Sequence, residues 1–247
     1  MRDAIKRRER RGGGLRVHFG LTTSCYTKSI RPPVTTDSDP PKVDRVSAHD
    51  LLYILTSFGD QGLILPFVLS VGAMLWFSHA RREALIWILT TGAALGTMLL
   101  LKLVFLPCGH LLPHWHLRSP SGHAASAFIA YGGFAVLEAQ LRTARWQRLA
   151  ILGAGFFFAC LIAGSRIALE VHSLPEVLLG SLVGLAVPAF LLWKIRPQFR
   201  HTLARSLLLA PLVPLGLLIA LRGETLHIEG HIAAIAMRLA AALGICA

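Results

Sequence analysis

Six apolar segments, separated by short polar loops, run through most of the chain. They cover residues 62–77, 83–105, 121–140, 149–163, 177–193 and 207–221. A helix needs about twenty residues to cross the hydrocarbon core of a bilayer, so the fourth and sixth segments need flanking residues to span it. The pattern predicts an all-α fold: a polytopic membrane helix bundle of about six transmembrane helices.

The two ends of the chain differ from this apolar centre. Residues 1–47 combine basic runs with glycine and proline. They bury too little apolar surface to offset the entropy lost on ordering, so we expect a disordered tail. Residues 48–60 form a short amphipathic piece, predicted to be an interfacial helix or a re-entrant lead-in. Residues 222–247 are predicted to form a C-terminal amphipathic segment, which leaves residues 48–221 as the membrane-embedded domain.

Composition agrees with a membrane protein. The chain is 54% hydrophobic and only 15% charged, whereas about a quarter of the residues in a soluble domain are charged. A net charge of +12 could indicate nucleic-acid binding. The basic residues, however, lie in the N-terminal tail and in short loops between apolar segments, where they indicate contact with anionic lipid headgroups. We therefore expect membrane lipids, and not nucleic acid, as partners.

The loop charges predict an orientation in the membrane. The loops after the first, third and fifth apolar segments carry nine basic residues: Arg81, Arg82, Arg142, Arg145, Arg148, Lys194, Arg196, Arg200 and Arg205. The positive-inside rule makes these loops cytoplasmic. The opposite loops carry only Arg118 and Arg166 and are predicted to face outside. The same alternation puts the basic tail outside, unless residues 51–60 form part of a hairpin or an extra crossing.

A polar, turn-forming cluster at residues 118–123 directly precedes the body of the third apolar segment. If a helix opens at Ser121, its first N–H groups point outward with the positive end of the helix dipole behind them, and such a terminus binds phosphate. Gly122 lets an anion approach the backbone, and His123 can exchange a proton near neutral pH. The alternative is that Ser119 or Ser121 only caps the helix and His123 lies among the headgroups.

A second polar cluster lies on the same predicted face, about forty residues later. Ser165 and Arg166 offer a hydroxyl and a planar cationic fork suited to phosphate oxygens. His172 is a plausible nucleophile toward phosphorus if a carboxylate holds its other nitrogen, and Glu176 is the available carboxylate. The alternative is that Ser173 and Glu176 form a capping box, so that Glu176 only satisfies backbone donors.

Together these residues resemble the type 2 phosphatidic acid phosphatase superfamily, whose site is shared by the vanadium haloperoxidases. The resemblance rests on Lys102, on Pro-Ser-Gly-His at residues 120–123, and on Ser-Arg at residues 165–166. His172 follows that arginine after five residues, and an acid follows His172 four positions on. The resemblance covers about residues 51–221, and the joint match of the second and third motifs is its specific part.

The resemblance implies a role for each matching residue. His172 matches the histidine that attacks phosphorus and becomes phosphorylated, and Glu176 stands at the position of its aspartate partner. His123 matches the histidine that protonates the leaving oxygen. The phosphate-binding positions are matched by Lys102, Ser121, Gly122 and Arg166. Water then hydrolyses the phosphohistidine. Because cationic side chains and backbone N–H groups balance the phosphate charge, neither a metal nor a cofactor is implied.

Two departures from the family pattern stand out. The family's Arg-Pro pair should begin seven residues beyond Lys102, where this chain has Gly109 and His110. Arg118 is our candidate for the missing arginine. Glu176, in place of aspartate, lengthens the arm by one methylene. Either change could lower activity or alter the choice of substrate.

A metal site is the rival interpretation of the loop between Lys102 and the first polar cluster. Its candidate ligands are Cys108, His110, His114 and His116. Their spacing matches no common closed site, and histidine beside tryptophan is also typical of headgroup depth. The four cysteines are scattered and indicate neither a zinc knuckle nor a disulfide framework. A further trio, predicted to lie at the outer interface, is His227, Glu229 and His231.

The sequence therefore predicts an integral membrane phosphatase that cleaves a phosphomonoester or pyrophosphate of a lipid through a phosphohistidine intermediate. We expect it in a bacterial inner membrane with its site facing the periplasm. One alternative is a phosphotransferase that uses an acceptor other than water. The other is a scaffold or transporter with a decayed site, although a transporter usually places ionisable groups in mid-span and this chain has almost none there. The oligomeric state stays open.

Overall fold

The computed structural model describes residues 47–108, 117–195, 210, 212–220 and 228–244. Every regular element in these residues is helical, which confirms the all-α prediction. The helices are α1 (Ala48–Ser57), α2 (Gln61–Phe77), α3 (Arg81–Cys108), α4 (Gly122–Ala127), α5 (Gly133–Gln140), α6 (Arg145–Ala168), α7 (Leu174–Lys194), α8 (Leu212–Ala220) and α9 (Ile228–Leu243). The predicted tail lies outside the described residues, except for Ser47.

The predicted amphipathic piece at the start of the membrane domain is a helix, α1. It begins at Ser47 because the Ser47 hydroxyl accepts from Asp50 N–H at 3.2 Å, while the Asp50 carboxylate accepts from Ser47 N–H at 2.9 Å. Asp60 starts α2 in a similar way by accepting from Gly62 N–H at 2.7 Å. Between them the chain bends by 42°. We call residues 56–61, which span this bend, the elbow.

Three of the described helices, α3, α6 and α7, are long and apolar enough to cross a membrane. The bent α1–α2 pair makes a fourth if it acts as one span. The sixth predicted span is described only as α8, whose nine residues are far short of the roughly twenty that a crossing needs. The predicted count of six is therefore not confirmed. The fourth predicted span is longer than expected, because α6 continues to Ala168.

The third predicted span is a helix at the centre of the bundle. A π-helical turn, Phe128–Gly132, joins α4 to α5, so that residues 122–140 form one helix, which we call the central helix. Most of its side chains are buried. It packs against α2, α3, α6 and α7. A residue at its start is therefore enclosed by other helices.

The main core lies between the central helix, α2, α3 and α7. Trp87 of α3 is fully buried there, and its indole N–H donates to Val68 O of α2 at 2.9 Å. The other large side chains of this core that are fully buried are Ile64, Phe67, Val71, Leu75, Ile129, Val136, Val187 and Leu191. This core fixes the relative positions of the helices that carry the two polar clusters.

Two glycines bring α7 into backbone contact with the central helix. Gly180 and Gly184 are four residues apart and so lie on one face of α7. A Cβ atom at Gly180 would collide with the carbonyl oxygen of Ser121, and one at Gly184 would come within 2.5 Å of Ala125 O. Small residues at this spacing are typical of closely packed membrane helices. The first turn of the central helix is consequently held against the first turns of α7.

Hydrogen bonds show which helix ends lie together. Gln140, at the end of α5, donates to Ile195 O beyond α7 at 3.1 Å and accepts from Arg148 of α6 at 3.1 Å. The end of α5, the start of α6 and the end of α7 are thus on one side. The start of the central helix, the end of α6 and the start of α7 meet on the other side, where the sequence analysis placed both polar clusters.

Candidate active site

The first polar cluster begins the central helix, and Ser121 is its capping residue. Ser121 is fully buried, has an extended backbone, and accepts from Ala124 N–H through its hydroxyl oxygen at 3.4 Å. Its own N–H donates to Glu176 O at 3.0 Å. The capping interpretation of Ser121 is therefore correct. It does not exclude a second role, because a capping hydroxyl oxygen still has a proton to donate.

The second cluster is shaped by the turn that ends α6. Glu170 N–H donates to Ile167 O at 2.9 Å and Val171 N–H donates to Arg166 O at 3.1 Å, which is the Schellman pattern of helix termination. Glu170 takes the left-handed conformation with φ of 55°. His172 N–H also reaches Arg166 O, at 3.3 Å. The turn thus fixes the spacing from the arginine to the histidine.

Glu176 joins the two clusters through four hydrogen bonds. Its Oε1 accepts from the backbone N–H groups of Arg118 at 2.7 Å and Ser119 at 2.9 Å. Its Oε2 accepts from Ser173 N–H at 3.0 Å and lies 2.9 Å from His172 Nδ1. Several donors directed at two oxygens suit an ionised carboxylate, which only accepts. One side chain therefore holds the loop before the central helix, the start of α7 and the imidazole.

The contacts of Glu176 are compatible with both interpretations from the sequence. The bond from Ser173 N–H is the carboxylate half of a capping box. The bond to His172 is the orienting contact that a nucleophilic imidazole needs. Because the carboxylate oxygen accepts, Nδ1 of the neutral imidazole carries the proton and the lone pair is on Nε2. The added methylene of glutamate is compatible with this contact at an ordinary hydrogen-bond distance.

Arg166 is fixed by a residue that the sequence analysis did not select. Its Nη1 donates to Thr56 Oγ1 at 3.0 Å, across 110 positions of sequence. Both residues are buried, with exposures of 7% and 6%. Ser165 differs from expectation, since its hydroxyl donates to Ile162 O of its own helix at 2.7 Å. Thr56, at the end of α1, therefore supplies a polar side chain that contacts the guanidinium.

His123, the second residue of the central helix, is enclosed by protein. Only 8% of its surface is exposed. The elbow lies against it, because a Cβ atom at Gly59 would be 3.0 Å from His123 Cβ and 3.1 Å from His123 O. The side chain of His123 is thus enclosed by neighbouring helices.

The other predicted phosphate-binding residues lie on elements that reach the same side. Lys102 is buried in the last two turns of α3, which packs against α4 and α7. Gly122 is buried at the first position of α4. Arg118 is exposed and is tied to the site by its backbone N–H. Gly109 and His110, which replace the family's Arg-Pro pair, lie outside the described residues.

Three of the four candidate ligands of the rival metal site lie outside the described residues: His110, His114 and His116. His227, of the C-terminal trio, does so as well. Cys108 is disulfide-bonded, which the scattered cysteines did not predict, so its sulfur is not available as a thiolate ligand. Within the residues that the structure describes, no group of three or more His, Cys, Asp or Glu residues has an arrangement suited to a metal ion. Glu229 and His231 lie on α9, which packs against α3.

Comparison with known families agrees with the resemblance seen in the motifs. A family model, that of the PAP2 superfamily, matches residues 23–201. This range contains both polar clusters, Lys102 and all helices from α1 to α7. No curated protein and no solved structure gives a significant match. Since the family model covers well over half of the chain, the protein belongs to the PAP2 superfamily.

Proposed function

We propose that this protein is an integral membrane phosphatase that hydrolyses a phosphomonoester or pyrophosphate of a lipid, with His172 as the nucleophile. Membership in the PAP2 superfamily supports a phosphatase-type function, and the long apolar helices support a membrane location. The observation that carries the proposal is the 2.9 Å contact between His172 Nδ1 and Glu176 Oε2. It directs Nε2 away from the carboxylate, and in the neutral imidazole that nitrogen has the lone pair.

In the first chemical step, Nε2 of His172 attacks phosphorus. A nitrogen–phosphorus bond forms as the bond from phosphorus to the leaving oxygen breaks, and His123 donates a proton to that oxygen. The imidazole gains positive charge during the attack, and the adjacent Glu176 carboxylate stabilises that charge. The products of this step are phosphohistidine and the lipid with one phosphate fewer: a lipid alcohol from a monoester, or a lipid monophosphate from a pyrophosphate.

Phosphate binding falls to the start of the central helix and to two buried cations. Backbone N–H groups near Gly122, with the helix dipole behind them, suit the phosphate oxygens. Arg166 and Lys102 supply positive charge in a site that is largely closed to water, where such charge acts most strongly. Arg118 remains our candidate for the arginine missing from the first family motif. Together these groups offset the phosphate charge without requiring a metal.

In the second step, water attacks the phosphorus of phosphohistidine. His123, which lost its proton to the leaving group, now takes a proton from that water. The nitrogen–phosphorus bond breaks, inorganic phosphate leaves, and His172 returns to its starting tautomer with Nδ1 protonated beside Glu176. Every proton is accounted for by the two histidines and water.

A lipid is the substrate class that suits the position of these groups. They lie at one end of apolar helices, so an amphiphile can keep its hydrocarbon chain in the bilayer while its phosphate reaches the helix start. The basic loops at the opposite end favour a site on the outer face. We place the protein in a bacterial inner membrane, with the site toward the periplasm.

Phosphate release by the purified protein tests this proposal. A panel of phosphatidic acid, phosphatidylglycerol phosphate, undecaprenyl pyrophosphate and lipid A phosphates is assayed in detergent, with and without EDTA and vanadate. We expect release from at least one lipid, inhibition by vanadate, and no effect of EDTA. His172→Ala should abolish release, whereas His231→Ala, a change on an exposed histidine of α9, should not. Full activity in His172→Ala would overturn the nucleophile, and loss with EDTA would favour a metal.

A further inference from the structure

The elbow between α1 and α2 contacts both polar clusters, although none of its residues belongs to the motifs discussed above. Its contact with the second cluster is the hydrogen bond from Arg166 Nη1 to Thr56 Oγ1, at 3.0 Å. Its contact with the first is the packing of Gly59 against His123, at a distance that leaves no room for a side chain. The elbow therefore meets the phosphate-binding arginine and the proton-donating histidine at the same time.

Further contacts hold the elbow in place against the central helix. Gln61 donates to Ser126 Oγ at 2.5 Å, and the Tyr131 hydroxyl donates to Phe58 O at 2.8 Å. The ring of Phe58 also packs edge-on against Phe158 of α6, with centroids 5.7 Å apart. Because these bonds flank Thr56 on its C-terminal side, the threonine hydroxyl is presented to Arg166 from a fixed backbone.

We propose that Thr56 is a positioning residue for phosphate binding, acting through Arg166. The inference rests on the proposed function, since it assigns a task to the arginine of that site. A guanidinium is planar and rigid, whereas the chain that carries it has many rotamers. A buried acceptor on one terminal nitrogen fixes the plane of the fork before the substrate arrives. Less rotamer entropy is then lost when the fork binds phosphate.

This role predicts an effect on anion affinity and not mainly on stability. Thr56→Val keeps the shape of the side chain but removes the oxygen that accepts from Arg166. Without that acceptor, the guanidinium must lose its rotamer freedom when the anion binds, so we expect vanadate inhibition and KM to weaken by about tenfold. The value of kcat should change less. Thr56→Ser keeps the oxygen and should restore most of the affinity.

Thr91→Val is the matched control. Thr91 is also a buried helical threonine, but its hydroxyl donates to Trp87 O of its own helix at 2.7 Å, within the core. Both valine variants lose one hydroxyl in a buried position, and the melting temperature of each detergent-solubilised variant is measured so that a loss of stability can be told from a loss of affinity. Only Thr56→Val should weaken vanadate inhibition. Equal inhibition constants in the two variants would overturn the proposal.

A double-mutant cycle separates the positioning role from any other. In an Arg166→Ala background the arginine is absent, so adding Thr56→Val should change vanadate inhibition by less than about twofold. An undiminished tenfold effect in that background would show that Thr56 does not act through Arg166. If the wild-type protein neither releases phosphate nor binds vanadate, the proposed function itself fails. If it does both and Thr56→Val matches it, only this inference fails.

Discussion

Replacing Glu176 by glutamine tests the account of the site at its most connected residue. Glutamine has the same shape as glutamate, but one of its two terminal atoms is an NH₂ group, which donates. In the wild-type protein Oε1 faces the N–H groups of Arg118 and Ser119, and Oε2 faces Ser173 N–H and His172 Nδ1. The amide must therefore direct its NH₂ toward one of these two pairs of donors.

The structure indicates which pair the NH₂ group will face. Two backbone N–H groups cannot become acceptors, but His172 Nδ1 can, if its proton moves to Nε2. The amide oxygen should therefore stay with the loop, and the NH₂ should donate to Nδ1. Ser173 N–H then loses its bond to the Glu176 carboxylate, which lowers the free energy of unfolding by about 1–3 kcal/mol. The catalytic cost is larger, because Nε2 now carries the proton and has no lone pair for phosphorus.

The expected loss of activity follows from that change of tautomer. A histidine held in the wrong tautomer by an acid-to-amide change costs about 10⁴ in kcat in the serine-protease triad, so we expect a fall of about 10²–10⁴ here. The assay is phosphate release from the lipid that the wild-type protein hydrolyses fastest, with thermal unfolding measured in the same detergent. Glu170→Gln is the control, since Glu170 is an exposed glutamate two residues before His172.

Two results would refute this reasoning. If Glu176→Gln retained kcat within about threefold of the wild type, the carboxylate would not be orienting the nucleophile. If the variant lost activity only because it unfolded at the assay temperature, the role of Glu176 would be the structural one of joining the two clusters. Glu170→Gln should match the wild type in both measurements.

Three further predictions follow from single positions. Gly180→Ala should destabilise the protein by about 2 kcal/mol or more, because the new Cβ atom would collide with Ser121 O. Gly92→Ala, where nothing lies within 4 Å of the new Cβ atom, should stabilise the protein slightly. Thermal unfolding of the two variants makes the comparison. Glu170→Gly should raise the melting temperature, since glycine removes the roughly 1 kcal/mol cost of the left-handed conformation; an unchanged or lower value contradicts this. His123→Gln should slow the first-turnover formation of phosphohistidine from an alkyl phosphate by about 100-fold or more, but that from p-nitrophenyl phosphate much less, because nitrophenolate leaves without a proton. Rapid-quench measurement of this first step compares the two substrates, and equal losses would reject His123 as the acid.

Sequence reasoning located the polar clusters because they depend on local patterns. Successive apolar segments cross a membrane in opposite directions, so every second loop lies on the same side. This alternation alone placed residues 118–123 on the same side as His172. Capping signals at Ser121 and Ser173 identified two helix starts. The spacing from Arg166 to His172 is also local, because it corresponds to one helix-terminating turn.

Contacts between distant segments were not predictable in this way. Nothing in the sequence near Thr56 indicates that it meets Arg166, 110 residues away. The sequence also did not show that one carboxylate can accept from Ser173 N–H and contact His172 Nδ1 at the same time. From the sequence, capping and contact with the histidine were alternatives. The predicted count of six spans is not confirmed, since the sixth is described over only nine residues. Hydropathy alone cannot show that the central helix is enclosed by its neighbours.

Trapping the phosphorylated enzyme tests the central claim most directly. The purified protein is mixed with a ³²P-labelled lipid phosphate, quenched in alkali within the first turnover, and digested for mass spectrometry. The account predicts an acid-labile, alkali-stable label on His172 that is absent from His172→Ala and present in His231→Ala. A label on another residue, or release of phosphate at the wild-type rate by His172→Ala, would contradict it.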